Sequence, residues 1–236
     1  MTTPTHISTL KRDMDTSNFL SQIRSHEPKS MLHVARADFA LECQLFREAF
    51  VKVEPSFDPA KADRDILNSL FAWVWRDKRP EFNVIGLDFD KGLWLHGSLG
   101  CGKTLCMLAL RQYMNSVVDR HPVMRDDHRL KAWLKSASEL ANYYSAGGQE
   151  ALMSFVCNNL VIDELGREPC PASSYGTRLN VLQFVLQLRY DRRRTSVTHV
   201  TTNLALTDIA ARYGDYVADR CLEMFNFVAF DGPSLR

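Results

Sequence analysis

Long apolar runs are missing from this chain of 236 residues. None approaches the about 20 residues that a membrane-spanning helix needs, and the polar N-terminus lacks the apolar core of a signal peptide. The chain also has no large excess of charge of either sign, because 29 Lys and Arg are balanced by 28 Asp and Glu and the formal net charge is +1. This balance argues against a nucleic-acid-binding surface over the whole protein, but it is compatible with a local basic patch.

Cysteine is scarce and scattered, and no pair has C-x-x-C or another spacing typical of a metal site. The six cysteines are Cys43, Cys101, Cys106, Cys157, Cys170 and Cys221. Cys101 lies between two glycines in a loop that a disulfide would obstruct. We therefore expect all six to be reduced thiols, mostly small core residues, in a cytoplasmic protein.

A glycine-rich loop is the most informative motif of the chain. It reads Gly97-Ser98-Leu99-Gly100-Cys101-Gly102-Lys103-Thr104, a complete G-x-x-x-x-G-K-[ST] pattern. An apolar run precedes it and a helical pattern starting at Leu105 follows it, which is the strand–loop–helix context that phosphate binding requires. Residues 97–105 are expected to cradle phosphates, with Lys103 at the β- and γ-phosphates and Thr104 on Mg²⁺. The alternative is a glycine turn that binds nothing, but it gives the lysine beside a hydroxyl no purpose.

The chain changes character near residue 79. Residues 1–14 are polar and expected to be disordered, and helical periodicity over 15–78 predicts a small all-α region that binds a partner. In that region Asp58 is predicted to cap a helix ending at Trp75, with Pro59 in its first turn. From 79 to 236, strand-like runs near 92, 130, 160, 197 and 225 alternate with helical segments. The alternation predicts an α/β fold with a parallel sheet between helices.

Polar side chains follow two of the predicted strands. Asp163 and Glu164 come after the run that starts at 160, and Asn203 follows the run that starts at 197. Because parallel strands end at one edge of their sheet, these side chains should lie beside the glycine loop. Asp163 would hold Mg²⁺, largely through water, Glu164 would orient or deprotonate an attacking water, and Asn203 would bond that water or the γ-phosphate. The alternatives are a capping acid for the pair and an Asx cap for Asn203.

The order of these motifs resembles the AAA+ ATPases. Among them it is most similar to the bacterial replicative-helicase loaders of the DnaC/DnaI type and the transposition helper ATPases of the IstB type. The similarity covers about residues 80–236 and is carried by 97–104, 162–167, 201–204, 212–220 and 230–236. It implies a five-stranded parallel P-loop sheet flanked by helices, no C-terminal lid, hydrolysis of ATP, and self-association into an oligomer.

The resemblance also assigns an arginine finger. In these families an arginine reaches the ATP held by the neighbouring subunit, and Arg220 occupies the matching position. Many relatives carry a second arginine where this chain has Tyr216. The alternative for Arg220 is a surface ion pair with Asp215 or Glu223. Arg236 matches a further family arginine that approaches nucleotide.

Two other segments are candidates for intermolecular contact, the first with single-stranded DNA and the second with a DNA phosphate or a neighbouring protomer. One is a tyrosine pair with lysines nearby, and the other is a basic run at the end of a predicted helix: Tyr143, Tyr144, Lys131 and Lys135, and Arg189, Arg192, Arg193 and Arg194. Aromatic rings and cations can stack on and attract such a strand. The alternatives are core packing for the tyrosines and interaction with the helix dipole for the arginines.

Together these observations favour an ATP-dependent loader or remodelling protein of a replicative helicase. The helical region would dock the helicase, and the AAA+ core would bind ATP and assemble with copies of itself along single-stranded DNA. A transposition helper that delivers target DNA to a transposase shares the same motifs, and a non-hydrolysing nucleotide-gated module is the alternative from another class. A GTPase is disfavoured because the chain lacks an N-K-x-D motif, and a small-molecule kinase would need an acceptor site that these motifs do not supply.

Overall fold

The computed structural model describes residues 36–58 and 62–230. The helices in these ranges are α1 (Arg36–Val53), α2 (Arg64–Trp75), α3 (Lys103–Arg120), α4 (Ala137–Gly147), α5 (Met153–Cys157), α6 (Val181–Asp191), α7 (Leu206–Tyr213) and α8 (Asp215–Met224). The strands are β1 (Gly92–Gly97), β2 (Trp133–Ser136), β3 (Leu160–Leu165), β4 (Ala172–Ser174), β5 (Thr177–Leu179), β6 (Thr198–Thr202) and β7 (Phe225–Phe230). The predictions for residues 1–14, for Pro59 and for Arg236 lie outside the described residues.

Five strands form the predicted parallel sheet, in the order β2-β3-β6-β1-β7. The central strands are buried because helices cover the sheet, as parallel sheets require; β1 and β3 contain apolar runs, whereas β6 has three threonines and a histidine. β1 lies between β6 and β7, and β3 lies on the other side of β6. This order brings the ends of β1, β3 and β6 together at one edge of the sheet, where the motif residues follow these strands.

Several boundaries differ from the sequence prediction. Asp63, and not Asp58, caps α2, since its carboxylate accepts hydrogen bonds from the N–H groups of Asp65 and Ile66. The helical segment predicted between the runs near 160 and 197 begins only at Val181, because the hairpin β4–β5 precedes α6. The hairpin turns at Tyr175 and Gly176, which both have positive φ, as a tight two-residue turn needs. Its three-residue strands are too short to show an alternating pattern.

The helices α1 and α2 pack against α3, within one compact unit that includes the sheet. Aromatic rings fill the contact, with Phe46 5.1 Å and Phe71 6.1 Å from the Tyr113 ring between centroids. The Tyr113 hydroxyl donates to Glu42 at 2.8 Å and accepts from Trp75 Nε1 at 2.8 Å. The helices before residue 79 are thus in direct packing contact with the helix that follows the glycine loop.

A buried carboxylate stabilises this contact. Glu42 is 2 % exposed and accepts hydrogen bonds from Arg120 and Tyr113, and its Oε1 lies 2.8 Å from His121 Nε2. Burial raises the pKa of Glu42, but the hydrogen bonds from Arg120, His121 and Tyr113 outweigh it and hold the pKa below its ordinary value of 4.5. The ionised form is thus favoured in the folded protein.

All six cysteines lie in the described ranges and are free thiols. No cluster of His, Cys, Asp and Glu able to hold a metal ion occurs in these ranges. Within the same residues, no helix is both long enough and apolar enough to span a membrane.

We expect Glu42→Gln to lower the free energy of unfolding by about 3 kcal/mol at neutral pH, because the amide removes the buried charged acceptor of Arg120 and His121. Since the folded-state pKa is depressed, the stabilisation is present above about 4.5 and is lost as the pH falls below it. Urea unfolding of both proteins at neutral pH and at a pH below 4.5 measures the difference in the free energy of unfolding. The control is Glu48→Gln on the same helix, whose carboxylate makes only an exposed bond to Gln44; an equal loss in both variants would contradict the account.

Candidate nucleotide-binding site

The glycine loop curls around the side chain of Lys103. Its ammonium donates to the backbone oxygens of Gly97 at 3.0 Å and Ser98 at 2.6 Å, and lies 3.3 Å from the Cys101 sulfur. Gly97 and Gly102 have φ of 145° and 92°. A Cβ on Gly97 would lie 2.3 Å from a backbone oxygen of β7, so the loop needs glycine there. Because α3 begins at Lys103, its free N–H groups are available at the loop.

The acidic strand end is tied to the loop through Asp163. Its Oδ1 accepts from the hydroxyls of Thr104 at 2.9 Å and Thr201 at 2.5 Å. Thr201 lies on β6 and also accepts from the N–H of Glu164 at 3.0 Å. One carboxylate oxygen thus joins α3, β3 and β6. A threonine hydroxyl beside a carboxylate is a pair of hard oxygen donors of the kind that binds Mg²⁺ together with substrate phosphates.

Glu164 has a strained backbone, with φ of 56°, at an irregularity in the pairing of β3 with β6. A non-glycine residue in this region costs of order 1 kcal/mol or more, and the hydrogen bond from its N–H to Thr201 helps to hold it. The carboxylate is 40 % exposed and forms an ion pair with Arg167 at 2.7 Å. Such outliers cluster where a side chain must point in a set direction.

A cavity of about 440 Å³ lies between these groups, within the size range of small-molecule sites. The predicted site residues along its wall are Leu99, Gly100, Gly102, Lys103, Thr104, Leu105, Glu164 and Asn203. The other three loop residues do not line the cavity. The backbone oxygens of Gly97 and Ser98 and the buried thiol of Cys101 contact the Lys103 ammonium instead. The structure therefore brings both predicted motifs and Asn203 to one cavity.

Asn203 is exposed at the cavity and follows directly on β6. The Asx cap considered for it is not formed, because Ala205 is the N-cap residue of α7 and no side chain caps that helix. Its neighbour Thr202 fixes the strand end instead, donating to the backbone oxygen of Leu165 at 2.6 Å. The amide of Asn203 therefore faces the same space as Glu164.

The end of α1 and the turn after it contribute a wall that sequence reasoning missed. Val53, Glu54 and Ser56 line the cavity opposite the glycine loop. The Glu54 carboxylate accepts from the Ser56 hydroxyl at 2.7 Å and from its N–H at 3.1 Å. No motif marks these residues. Only the packing of α1 on α3 brings them here, and the sequence pattern contains no signal of it.

Arg220 lies on α8 and does not line the cavity of its own chain. Its guanidinium carbon is 3.6 Å from the ring centroid of Tyr216 and 4.2 Å from that of Tyr190. The ion pair with Asp215 or Glu223 considered from the sequence is not formed. Glu223 instead accepts from the Tyr190 hydroxyl at 2.9 Å and pairs with Arg193 at 3.5 Å.

The basic run divides into two kinds of residue. Arg189 is fully buried and donates to the Thr198 hydroxyl at 2.6 Å and to the backbone oxygens of Asn158 and Val197 at 2.7 and 2.8 Å. Burial lowers the pKa of Arg189 to about 10, so it stays charged at neutral pH. Its expected role at the surface is wrong, because it links the segment after α5 to β6. Arg192 and Arg194 are exposed.

The tyrosine pair divides in the same way. Tyr144 is buried, and its hydroxyl donates to the backbone oxygen of Thr177 at 3.2 Å. Tyr143 is 40 % exposed, and the Lys135 ammonium lies 5.1 Å from its ring centroid. Of the two, only Tyr143 presents a ring to solvent beside a cation.

No model of a known protein family matches the chain, and no curated protein sequence does. Among solved structures, the chain is similar to the DnaC helicase loader, with 21 % identity over 75 % of this chain and 94 % of that one, at a TM-score of 0.50. A putative primosome component from Streptococcus pyogenes serotype M3 matches with 17 % identity over 80 % of this chain and 99 % of that one, at a TM-score of 0.48. AMPPCP-bound DnaA from Aquifex aeolicus matches with 16 % identity over 74 % of this chain and 51 % of that one, at 0.42. The similarity to the DnaC structure confirms the predicted fold, a five-stranded parallel α/β sheet flanked by helices.

Proposed function

We propose that this protein is an AAA+ ATPase that binds ATP and Mg²⁺ at residues 97–105, hydrolyses ATP in an assembly of its own copies, and acts on a replicative DNA helicase. The observation that carries the proposal is the position of Lys103, Thr104 and Glu164 at one cavity, with Asp163 hydrogen-bonded to the Thr104 hydroxyl. A glycine turn without a ligand needs neither the buried ammonium nor the hydroxyl–carboxylate pair.

Phosphate binding would exchange partners of Lys103. Its ammonium now satisfies two backbone oxygens of the loop, Gly97 and Ser98. Triphosphate oxygens offer a charged acceptor instead, and charge-assisted bonds are stronger than bonds to neutral oxygens. The N-terminal N–H groups of α3 add donors and the positive end of the helix dipole. Thr104 and Asp163 would hold Mg²⁺, which neutralises phosphate charge when bound.

Hydrolysis would use Glu164 and Asn203, which line the same cavity. Glu164 accepts a proton from the attacking water or orients it, and Asn203 donates its amide to that water or to the γ-phosphate. Glu164 must leave Arg167 to do so, and an ion pair this exposed costs little to break. Arg220 completes the site from a neighbouring copy, since it lies away from the cavity of its own chain.

The helicase partner is supported by the fold shared with the DnaC loader. Within the partner-binding region proposed at 15–78, α1 presents Leu41 and Val51, which are 49 % and 43 % exposed. We propose that these exposed apolar side chains contact the partner. Single-stranded DNA is proposed as a further partner, with Tyr143 and Lys135 as the exposed aromatic and cationic pair.

We expect Lys103→Ala to abolish ATP binding in calorimetric titration, and Glu164→Gln to bind ATP with unchanged affinity while kcat falls at least about 100-fold. The glutamine keeps the shape of the side chain but accepts no proton. Turnover that persists in Glu164→Gln would remove the assignment of Glu164. Binding without turnover in the unaltered protein would favour the non-hydrolysing module.

Arg220→Ala should lower kcat by about 1000-fold and leave ATP affinity intact, because a finger contacts the phosphoryl group only as charge develops on it. The matched control is Arg192→Ala, which removes an exposed arginine that also does not line the cavity, and it should retain turnover. Equal losses of affinity and turnover in Arg220→Ala would exclude the finger role.

The full chain should bind the purified replicative helicase of its source, and Leu41→Glu should weaken that binding at least about tenfold, since a charge replaces an exposed apolar contact. Leu222→Glu, at an exposed leucine on α8, is the control. Light scattering and calorimetric titration measure helicase binding by the unaltered protein and by both variants. Binding to a purified transposase in place of the helicase would support the transposition helper.

A further inference from the structure

We propose that Tyr216 and Tyr190 are positioning residues for Arg220, which they hold unpaired so that it reaches the ATP of an adjacent copy. The inference rests on the proposed finger role of Arg220. It concerns this chain's own contacts: two rings, 3.6 Å and 4.2 Å from the guanidinium carbon, hold the cation between two helices.

The two rings come from different elements. Tyr216 lies one turn before Arg220 on α8, and Tyr190 lies near the end of α6. Side chains four residues apart on a helix meet on one face. An arginine side chain alone has many rotamers, and contact with two rings restricts that freedom before the phosphoryl group is met. The preferred direction of Arg220 is thus fixed within its own subunit.

The rings hold the charge without neutralising it. In the described part of the chain, no carboxylate lies within ion-pair distance of Arg220. Glu223, three residues further along α8, accepts from Tyr190 at 2.9 Å and pairs with Arg193 at 3.5 Å. A carboxylate on Arg220 would compete with phosphate for the same N–H donors, whereas contact with a ring face leaves the positive charge in place.

Core packing does not account for Tyr216. The buried residues of α8 are Val217, Cys221 and Met224, whereas Tyr216 is 56 % exposed. An exposed ring contributes little to the stability of the core, so its removal should leave the fold intact. What the ring contacts is the cation of Arg220.

A mixing experiment isolates the finger from every other role. Full-length Arg220→Ala protein keeps its own ATP site but lacks a finger, and Lys103→Ala protein keeps its finger but lacks an ATP site. Their mixture should recover turnover that neither has alone. Tyr216→Ala, Tyr216→Leu or Tyr216→Phe is then added to the Lys103→Ala donor, whose own site is already inactive.

We expect the donor with Tyr216→Phe to restore turnover as well as the parent donor does. The Tyr216→Ala and Tyr216→Leu donors should give about two- to fivefold lower kcat at unchanged KM, because leucine replaces the bulk of the ring but not its π face. Equal recovery with all donors would overturn the inference, as would a leucine donor that equals the phenylalanine donor. Thermal unfolding of each donor checks that the fold is kept, and a donor that unfolds would contradict the surface role given to Tyr216.

The mixing experiment distinguishes the finger role of Arg220 from the positioning role of the tyrosines. If the parent mixture of Arg220→Ala and Lys103→Ala recovers no turnover although each protein is folded, the finger does not act between copies, and the proposed function loses its assembly step. If that mixture recovers and the tyrosine variants donate equally well, only the positioning role is lost.

Discussion

The Asp163 carboxylate is the constraint on which the candidate site depends. One of its oxygens accepts from Thr104 on α3 and Thr201 on β6, and the same Thr201 holds the N–H of Glu164. These bonds can form only because β3 and β6 are neighbours that end at the same edge of the sheet as β1. The strand order thus sets the positions of the groups proposed to bind magnesium, water and the γ-phosphate.

A second constraint lies at the N-terminal helices. Buried Glu42 and the rings around Tyr113 fix α1 on α3, the helix that begins at Lys103. The end of α1 then places Glu54 and Ser56 in the wall of the cavity. The helices proposed to meet a partner therefore also shape the nucleotide pocket.

Much of this could be predicted from sequence, because local patterns along the chain mark the glycine loop, Asp163 near the end of β3 and Asn203 after β6. Contacts between distant elements could not be predicted. Arg189 looks like a surface cation, yet buried backbone oxygens from elsewhere in the chain surround it. Glu54 reaches the cavity only through the packing of α1 on α3. Asp63 caps α2, although an aspartate at position 58 is just as suitable a capping residue by type. The rings around Arg220 likewise come from two helices.

The central claim is that each reaction centre needs two copies of this chain. It is tested most directly by the rate of ATP hydrolysis per molecule over a dilution series, with the assembled fraction followed by light scattering in the same samples. The account predicts that the rate per molecule falls in step with the assembled fraction. A rate per molecule that stays constant into the range where only single chains remain would contradict it.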